Sequence, residues 1–286
     1  MMFARLILIG AGRVARGCAE VLAHLNLPLT CVEAEPSNLN LLRSFCAQRD
    51  IEYRLISDRK ELRQFFLSIS VPTLVVSAQN IYIFPLEVVK NPALKIINFH
   101  NSLLPRHPGH NAPSWAIFDM DETSGITWHE VVAEIDRGPI ITRREIPIGE
   151  QVTALDLVMS CADLGIQSFK EILPCVMTGD YCPQIQPYSI TYKVHHSKDV
   201  PNDGILDLSW DIRKISAFLR SLDYGRLPVF PTPRLKILGN VFILDKHTFL
   251  EGNDAYNRQS IIFDPPKLEV ISDNIKIEAS CTRYDI

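Results

Sequence analysis

The sequence predicts an α/β fold in which a mostly parallel, helix-flanked sheet precedes a smaller β-rich part, and three observations predict it. Short apolar runs alternate with segments of helical spacing through the first half of the chain, the pattern left by βαβ units. A glycine turn, Gly10-Ala11-Gly12, separates the first apolar run from the first helical one, where a strand must turn tightly into a helix. Beyond about residue 200 the texture changes to short β-prone runs broken by turn residues, as in small β sheets and barrels.

Taken in order, Leu6 to Ile9 reads as a buried strand, Val14 to Leu25 as a helix, Leu29 to Glu33 as a second strand and Asn38 to Arg49 as a second helix. Leu74 to Ser77 and Lys95 to Phe99 read as further strands, with a short helical segment at Leu86 to Lys90 between them. Gly125 to Val132 and Ile140 to Pro147 read as two strands flanking Asp136-Arg137-Gly138-Pro139, whose acid and glycine are turn chemistry. Ala154 to Leu173 has the spacing of a long amphipathic helix. The stretch from Met177 to Pro201 lacks periodicity and holds Gly179, Pro183 and Pro187, so it reads as a linker. This places a Rossmann-like domain over residues 1–200, with its linker at about 177–202, and a β-rich, barrel-like domain over residues 203–286. In the latter, Ile205 to Trp210 is strand-like, Ile212 to Leu222 helical, and short strands follow at 235–237, 241–244, 260–263, 268–271 and 275–278.

With 286 residues the chain is long enough for a sizeable core. A formal net charge of -4 without a long basic run gives no bulk attraction toward nucleic acid or anionic membrane. The first apolar run is too short to span a bilayer and lacks a small-residue cleavage site, so a cytoplasmic protein is expected. Seven scattered cysteines, odd in number and without a Cys-x-x-Cys pair, suggest reduced thiols rather than a disulfide framework or a zinc site. No metal is expected.

Two features carry candidate chemistry. Gly10, Gly12 and, about twenty residues on, Glu33 fit the loose dinucleotide-binding fingerprint, which makes an NAD(P)-dependent oxidoreductase the rival reading. A tight βα turn needs the same glycines for steric reasons. The second feature is the run Asn98-Phe99-His100-Asn101-Ser102-Leu103-Leu104-Pro105. Residues i and i+2 of a strand share a face, so an amide and an imidazole point into one space beyond the carboxyl end of a strand, where ligands of such folds bind. Singly, such residues are usually caps, satisfied core side chains or turns. Their joint context, with Ala112-Pro113, Ser124-Gly125-Ile126-Thr127 and Asp136-Arg137-Gly138 downstream, changes the balance.

With these motifs the chain resembles the formyltransferases that use 10-formyltetrahydrofolate. The resemblance covers residues 70 to 150, and Asp203 to Trp210 with Pro231-Thr232-Pro233 look like the start of the C-terminal domain of the longer members. It implies an α/β catalytic domain with Asn98, His100 and Asp136 as the catalytic set, Asn98 and His100 serving the developing oxyanion and Asp136 raising the pKa of His100 and orienting its ring. It implies cofactor contacts from Tyr82, Ile83 and Phe84, from Ser102, Leu103, Leu104 and Pro105, and from Val132, Ala133, Glu134 and Ile135. The loop Arg106-His107-Pro108-Gly109-His110-Asn111 departs from the family pattern, and His110, Asn111 and Trp115 are the candidate acceptor contacts. An acidic segment, Glu33 to Asn38, stands where the methionyl-tRNA enzymes are basic and would repel phosphates. That directs the expectation toward a small amine, on a nucleotide-linked amino sugar or an amino acid or peptide, with methionyl-tRNA as the alternative. The C-terminal domain is left open to bind acceptor or a second copy of the chain.

Overall fold

The computed structural model describes residues 3–37, 40–187, 192–251, 260–272 and 275–284. The sheet of the first half has seven strands: β1 (Arg5–Gly10), β2 (Leu29–Glu33), β3 (Glu52–Leu55), β4 (Thr73–Ala78), β5 (Leu94–His100), β6 (Thr123–Glu130) and β7 (Ile140–Pro147). Their order is β3-β2-β1-β4-β5-β6-β7. The pairings from β3 to β5 are parallel, whereas β5 and β6 run antiparallel. The strand order reverses between β1 and β4, which places a ligand crevice at the carboxyl ends of these strands. Helices α1 (Gly12–Leu22), α2 (Leu41–Arg49), α3 (Arg59–Leu67), α4 (Leu86–Val89), α5 (Ala112–Phe118) and α6 (Ala154–Thr178) alternate with the strands.

β3 and α3 escape the sequence reading for opposite reasons. β3 is mostly exposed and shows no apolar run, whereas α3 announces itself only through Asp58, whose carboxylate accepts from the Lys60 and Glu61 N–H groups as an N-cap. α6 runs past the expected end at Leu173 and through Pro174. Among the anticipated elements, Asn38 at the head of the second helix and residues 188–191 of the linker lie outside the described residues.

The chain forms two compact units, one of Met1–Gly109, Gly125–Ile146 and Met159–Val194, the other of His110–Ser124, Pro147–Val158 and His195–Ile286. In the first, Ile7, Ile9, Val32, Val75 and Ile96 of the strands bury against Leu62, Phe66, Tyr82, Phe84 and Val88. In the second, the core is built on α7 (Ile212–Ser221) and the strands β8 (Ile205–Leu206), β9 (Arg234–Ile237), β10 (Asn240–Glu251), β11 (Ser260–Asp264), β12 (Lys267–Ser272) and β13 (Ile275–Tyr284). These strands pair in the order β11-β12-β13-β10-β9-β8, antiparallel except for β8 with β9. Aromatic packing of Phe118 on Trp210 and Phe218 draws α5 into this unit. The expected strand 205–210 stops after Leu206, because the Asp207 carboxylate accepts from the Ser209 N–H (2.9 Å) and hydroxyl (2.7 Å) and turns the chain.

Candidate active site

β5 carries Asn98 and His100 to the carboxyl end of the sheet between two different neighbours. Ser77 of β4 pairs with Asn98 on one side, and His129 of β6 stands opposite Asn98 on the other. The register alone therefore gathers three polar side chains on one row. The Ser77 hydroxyl donates to Asn98 Oδ1 at 2.7 Å, and Asn98 Nδ2 lies 3.1 Å from His129 Nε2. His129 Nδ1 is 2.8 Å from the Glu130 carbonyl. In the neutral ring the proton therefore sits on Nδ1, and Nε2 accepts from the Asn98 amide. The amide orientation of Asn98 is fixed at both ends, while Nδ2 keeps a second N–H. Behind Ser77, Asn80 Nδ2 donates to the Ser77 hydroxyl (3.2 Å) and to the Tyr82 carbonyl (3.0 Å), tying the 80–84 loop into the same chain of bonds.

His100 is buried, and its Nε2 donates to the His107 carbonyl at 2.9 Å. Its Nδ1 faces Asp136 Oδ2 at 3.6 Å, and Asp136 Oδ1 lies 3.5 Å from His129 Nε2. The Gly109 N–H donates to Asp136 Oδ2 at 2.8 Å. Asp136 holds a left-handed backbone (φ 54°) in its turn. Two residues on, a Cβ at Gly138 would come within 1.7 Å of the Glu130 carbonyl oxygen. Only glycine lets the turn lie that close to β6.

The electrostatics differ from expectation in one respect. Burial pushes the His100 imidazole down, and the nearby Asp136 charge, which raises it, does not compensate; the net shift is downward. For Asp136, burial would raise the carboxyl, but the positive charge that His100 carries when protonated, the charge and Nε2–H of His129 in its own protonated form and the Gly109 N–H together hold it well below the usual carboxylate range. At neutral pH the site therefore holds a neutral imidazole beside a carboxylate. A proton arriving on His100 would be stabilised at once by that carboxylate.

The remaining site expectations fall into four groups. Ser102 is buried; its hydroxyl donates to the Arg106 carbonyl (2.6 Å) and its carbonyl accepts from the Thr127 hydroxyl (2.6 Å). The Thr127 oxygen in turn accepts from the Leu104 N–H, and Arg143 donates to the Leu104 carbonyl, so the 102–105 loop is held from within. Leu104 is itself buried, and Leu103 and Pro105 are half-buried. Tyr82 and Phe84 lie in the core cluster, which also takes in Val131, and Ile83 is 54% exposed. Val132 is half-buried, and Ala133, Glu134 and Ile135 are exposed. His110, Asn111 and Trp115 belong to the second unit. There Asn111 precedes α5 with φ 55°, and the buried Trp115 stacks on His195 with ring centroids 4.0 Å apart. Among the described residues, no group of three or more His, Cys, Asp or Glu side chains could hold a metal ion.

Sequence reasoning passed over Ser77, Asn80, His129 and Gln186, whose amide Nε2 donates to the carbonyls of both Asp136 and Gly138 at 2.8 Å. His129 was visible as a polar residue in an apolar strand. Its partner across the sheet was not.

The Gly10 turn does not present a phosphate cradle. Gln79 Oε1 accepts from the Val14 N–H at 2.9 Å and lies 3.0 Å from the position of a Cβ on Gly12. The amide thus fills the start of α1 that a pyrophosphate would need. Glu33 is buried and accepts from the Tyr53 hydroxyl at 2.8 Å.

The α/β sheet thus gathers an amide, an imidazole and a carboxylate beyond its carboxyl edge. Residues 49–173 match the family model described as formyl transferase. Methionyl-tRNA formyltransferase of Levilactobacillus brevis is 27% identical over 194 residues, which is 65% of this chain and 59% of that enzyme. The chain thus matches less than two thirds of that relative's length. The Clostridioides difficile methionyl-tRNA formyltransferase is 24% identical over 77% of this chain and 74% of its own. The solved N-formyltransferase of Helicobacter canadensis, in complex with folinic acid and dTDP-3-aminofucose, shares the fold over 99% of this chain and all of its own, with a TM-score of 0.75 at 20% identity.

Proposed function

We propose that this chain transfers a formyl group from 10-formyltetrahydrofolate to a primary amine on a small molecule, with a nucleotide-linked amino sugar as the first candidate and an amino acid or peptide amine as the second. The observation that carries the reading is the cluster of half-buried Asn98, buried His100 and half-buried Asp136 at the carboxyl end of β5, set in a segment that matches the formyl transferase family model. Residues 1–200 would be the catalytic part and 203–286 an appended β-rich part. Seven free cysteines, five of them buried, suit a reducing, cytoplasmic setting.

The residues present fit the formyl donor. Asn98 retains one amide N–H beyond the bond to His129, with its Oδ1 held by Ser77, and Ile83 and Ile135 offer exposed apolar surface on the loops expected around a pterin. When bound, the folate supplies the activated formyl carbon. The acceptor nitrogen forms the new C–N bond as the bond from carbon to the folate nitrogen breaks, so one proton leaves the amine and one arrives on the folate nitrogen. Asn98 Nδ2 donates to the formyl oxygen as negative charge grows there, a contribution on the order of 3 kcal/mol for one such donor. The His100 and Asp136 pair takes up the amine proton and returns it to the departing nitrogen. Asp136 stabilises the imidazolium that forms, and the His107 carbonyl holds the ring in place.

Methionyl-tRNA remains the second reading because the sequence relatives act under that name. The net charge of -4, with no long basic run, argues against it. The distinguishing experiment is a thermal shift with 5-formyltetrahydrofolate, followed by mass spectrometry for formyl gain on dTDP-linked amino sugars, amino acids and methionyl-tRNA. A shift and formylation of a small amine are expected. Formylation of methionyl-tRNA alone would overturn the acceptor class, and a shift with NADH instead of folate would overturn the chemistry.

A further inference from the structure

The segment after α6 reads in the sequence as a linker, yet part of it is built into the site. Gln184 pairs with Ile140 through two backbone hydrogen bonds, 2.7 and 2.8 Å, extending the sheet beside the start of β7. Two residues on, the buried Gln186 places its Nε2 at 2.8 Å from the carbonyls of both Asp136 and Gly138. One amide thus spends both N–H groups on the two ends of the Asp136 turn. The turn needs such a hold, because Asp136 is a non-glycine residue in the left-handed region, a conformation that costs free energy unless its surroundings fix it. From Gln184, the same segment also approaches Arg143, whose guanidinium donates to the Leu104 carbonyl.

We propose that Gln186 is a positioning residue for formyl transfer, a clamp that fixes the Asp136 carboxylate against His100. The inference rests on the function proposed above. Gln186 touches no reacting group; it acts through the backbone of residues 136–138. His100 is faced by Asp136, by His129 of β6 and by His107 of its own loop. A change in its titration when Gln186 is altered reports movement of Asp136, provided His129 and His107 keep their places.

The test uses the full chain and two variants, Gln186→Met, which keeps the volume without the donors, and Gln186→Glu, whose anion would face two carbonyl oxygens. Histidine NMR assigns the His100 resonance by its loss in His100→Gln. In Gln186→Met the His100 titration should move to lower pH, because the charge that raises it is no longer held at 3.6 Å. The kcat should fall about tenfold or more, with KM for formyl donor and acceptor within twofold of wild type. Gln186→Glu should lose activity progressively as pH rises, since only its protonated form can donate to a carbonyl. An unchanged His100 titration in Gln186→Met would overturn the proposal, as would a loss of activity that follows the folded fraction and disappears at lower temperature. If the wild-type chain formylates nothing, the function reading fails and the titration alone decides the clamp.

Discussion

Replacing Asp136 by Asn tests the electrostatic logic of the site most sharply. The substitution keeps the shape and leaves an oxygen to accept from the Gly109 N–H. What it removes is one charge 3.6 Å from His100 Nδ1. At that separation, and with an effective dielectric constant of about 20, Coulomb's law gives roughly 5 kcal/mol between a carboxylate and an imidazolium. At about 1.4 kcal/mol per factor of ten, the upper bound on the loss is between three and four decades in rate. His129, 3.5 Å from the other carboxylate oxygen, disfavours charge on His100 and offers no compensation, so we expect kcat to fall on the order of a thousandfold. The assay is single-turnover formyl transfer at saturating formyl donor, with circular dichroism and urea unfolding as controls for the fold. A variant within threefold of wild type would refute the assignment of Asp136 as the group that stabilises protonated His100.

Three other outcomes follow from the same geometry. Asn98→Ala should lower kcat by roughly a hundredfold or more through loss of an oxyanion donor, leave the binding of 5-formyltetrahydrofolate within about threefold, and be read by the same assay with calorimetry. Stability should fall in acid through both titrating groups. His100 binds its proton less readily folded than unfolded, so its contribution is complete above about pH 6.5 and is lost as pH falls through its folded value; Asp136 is likewise depressed, and its contribution is lost below about pH 4. Urea midpoints measured from pH 8 to 3 should show His100→Gln flattening the upper part of this decline and Asp136→Asn the lower, whereas parallel curves for wild type and variants would contradict the shifts. Gly138→Ala drives a Cβ to 1.7 Å from the Glu130 carbonyl oxygen and should cost about 1–3 kcal/mol in urea unfolding, with a further loss of activity as the Asp136 turn moves; full stability would show that the turn has slack.

Much of the site was legible because it is local. Asn98 and His100 share a strand face by the two-residue period, and Asp136 lies in a turn that its neighbouring glycine announces. The alternation of strands and helices likewise predicted the sheet. What escaped depends on pairing across the fold. Ser77 and His129 become neighbours of Asn98 only through the register of β4 and β6 on either side of β5. Gln186 reaches the Asp136 turn from fifty residues away, within a stretch whose lack of periodicity reads as a linker. β3 has no apolar run to betray it, and α6 crosses Pro174 where local rules end a helix. The direction of the His100 shift was also beyond the sequence, since it is decided by burial competing with one adjacent charge.

In the function proposed above, the Asn98, His100 and Asp136 cluster moves a formyl group from a folate to a small amine. Its most direct test is incubation of the wild-type chain with 10-formyltetrahydrofolate and a panel of dTDP-linked amino sugars, amino acids and small peptides, followed by mass spectrometry. We expect a gain of one formyl group on at least one member, with release of tetrahydrofolate in equal amount, and initial rates of both about a hundredfold lower or more in Asn98→Ala. Formyl gain undiminished in Asn98→Ala, or no gain on any small amine from a folded, folate-binding chain, would contradict it.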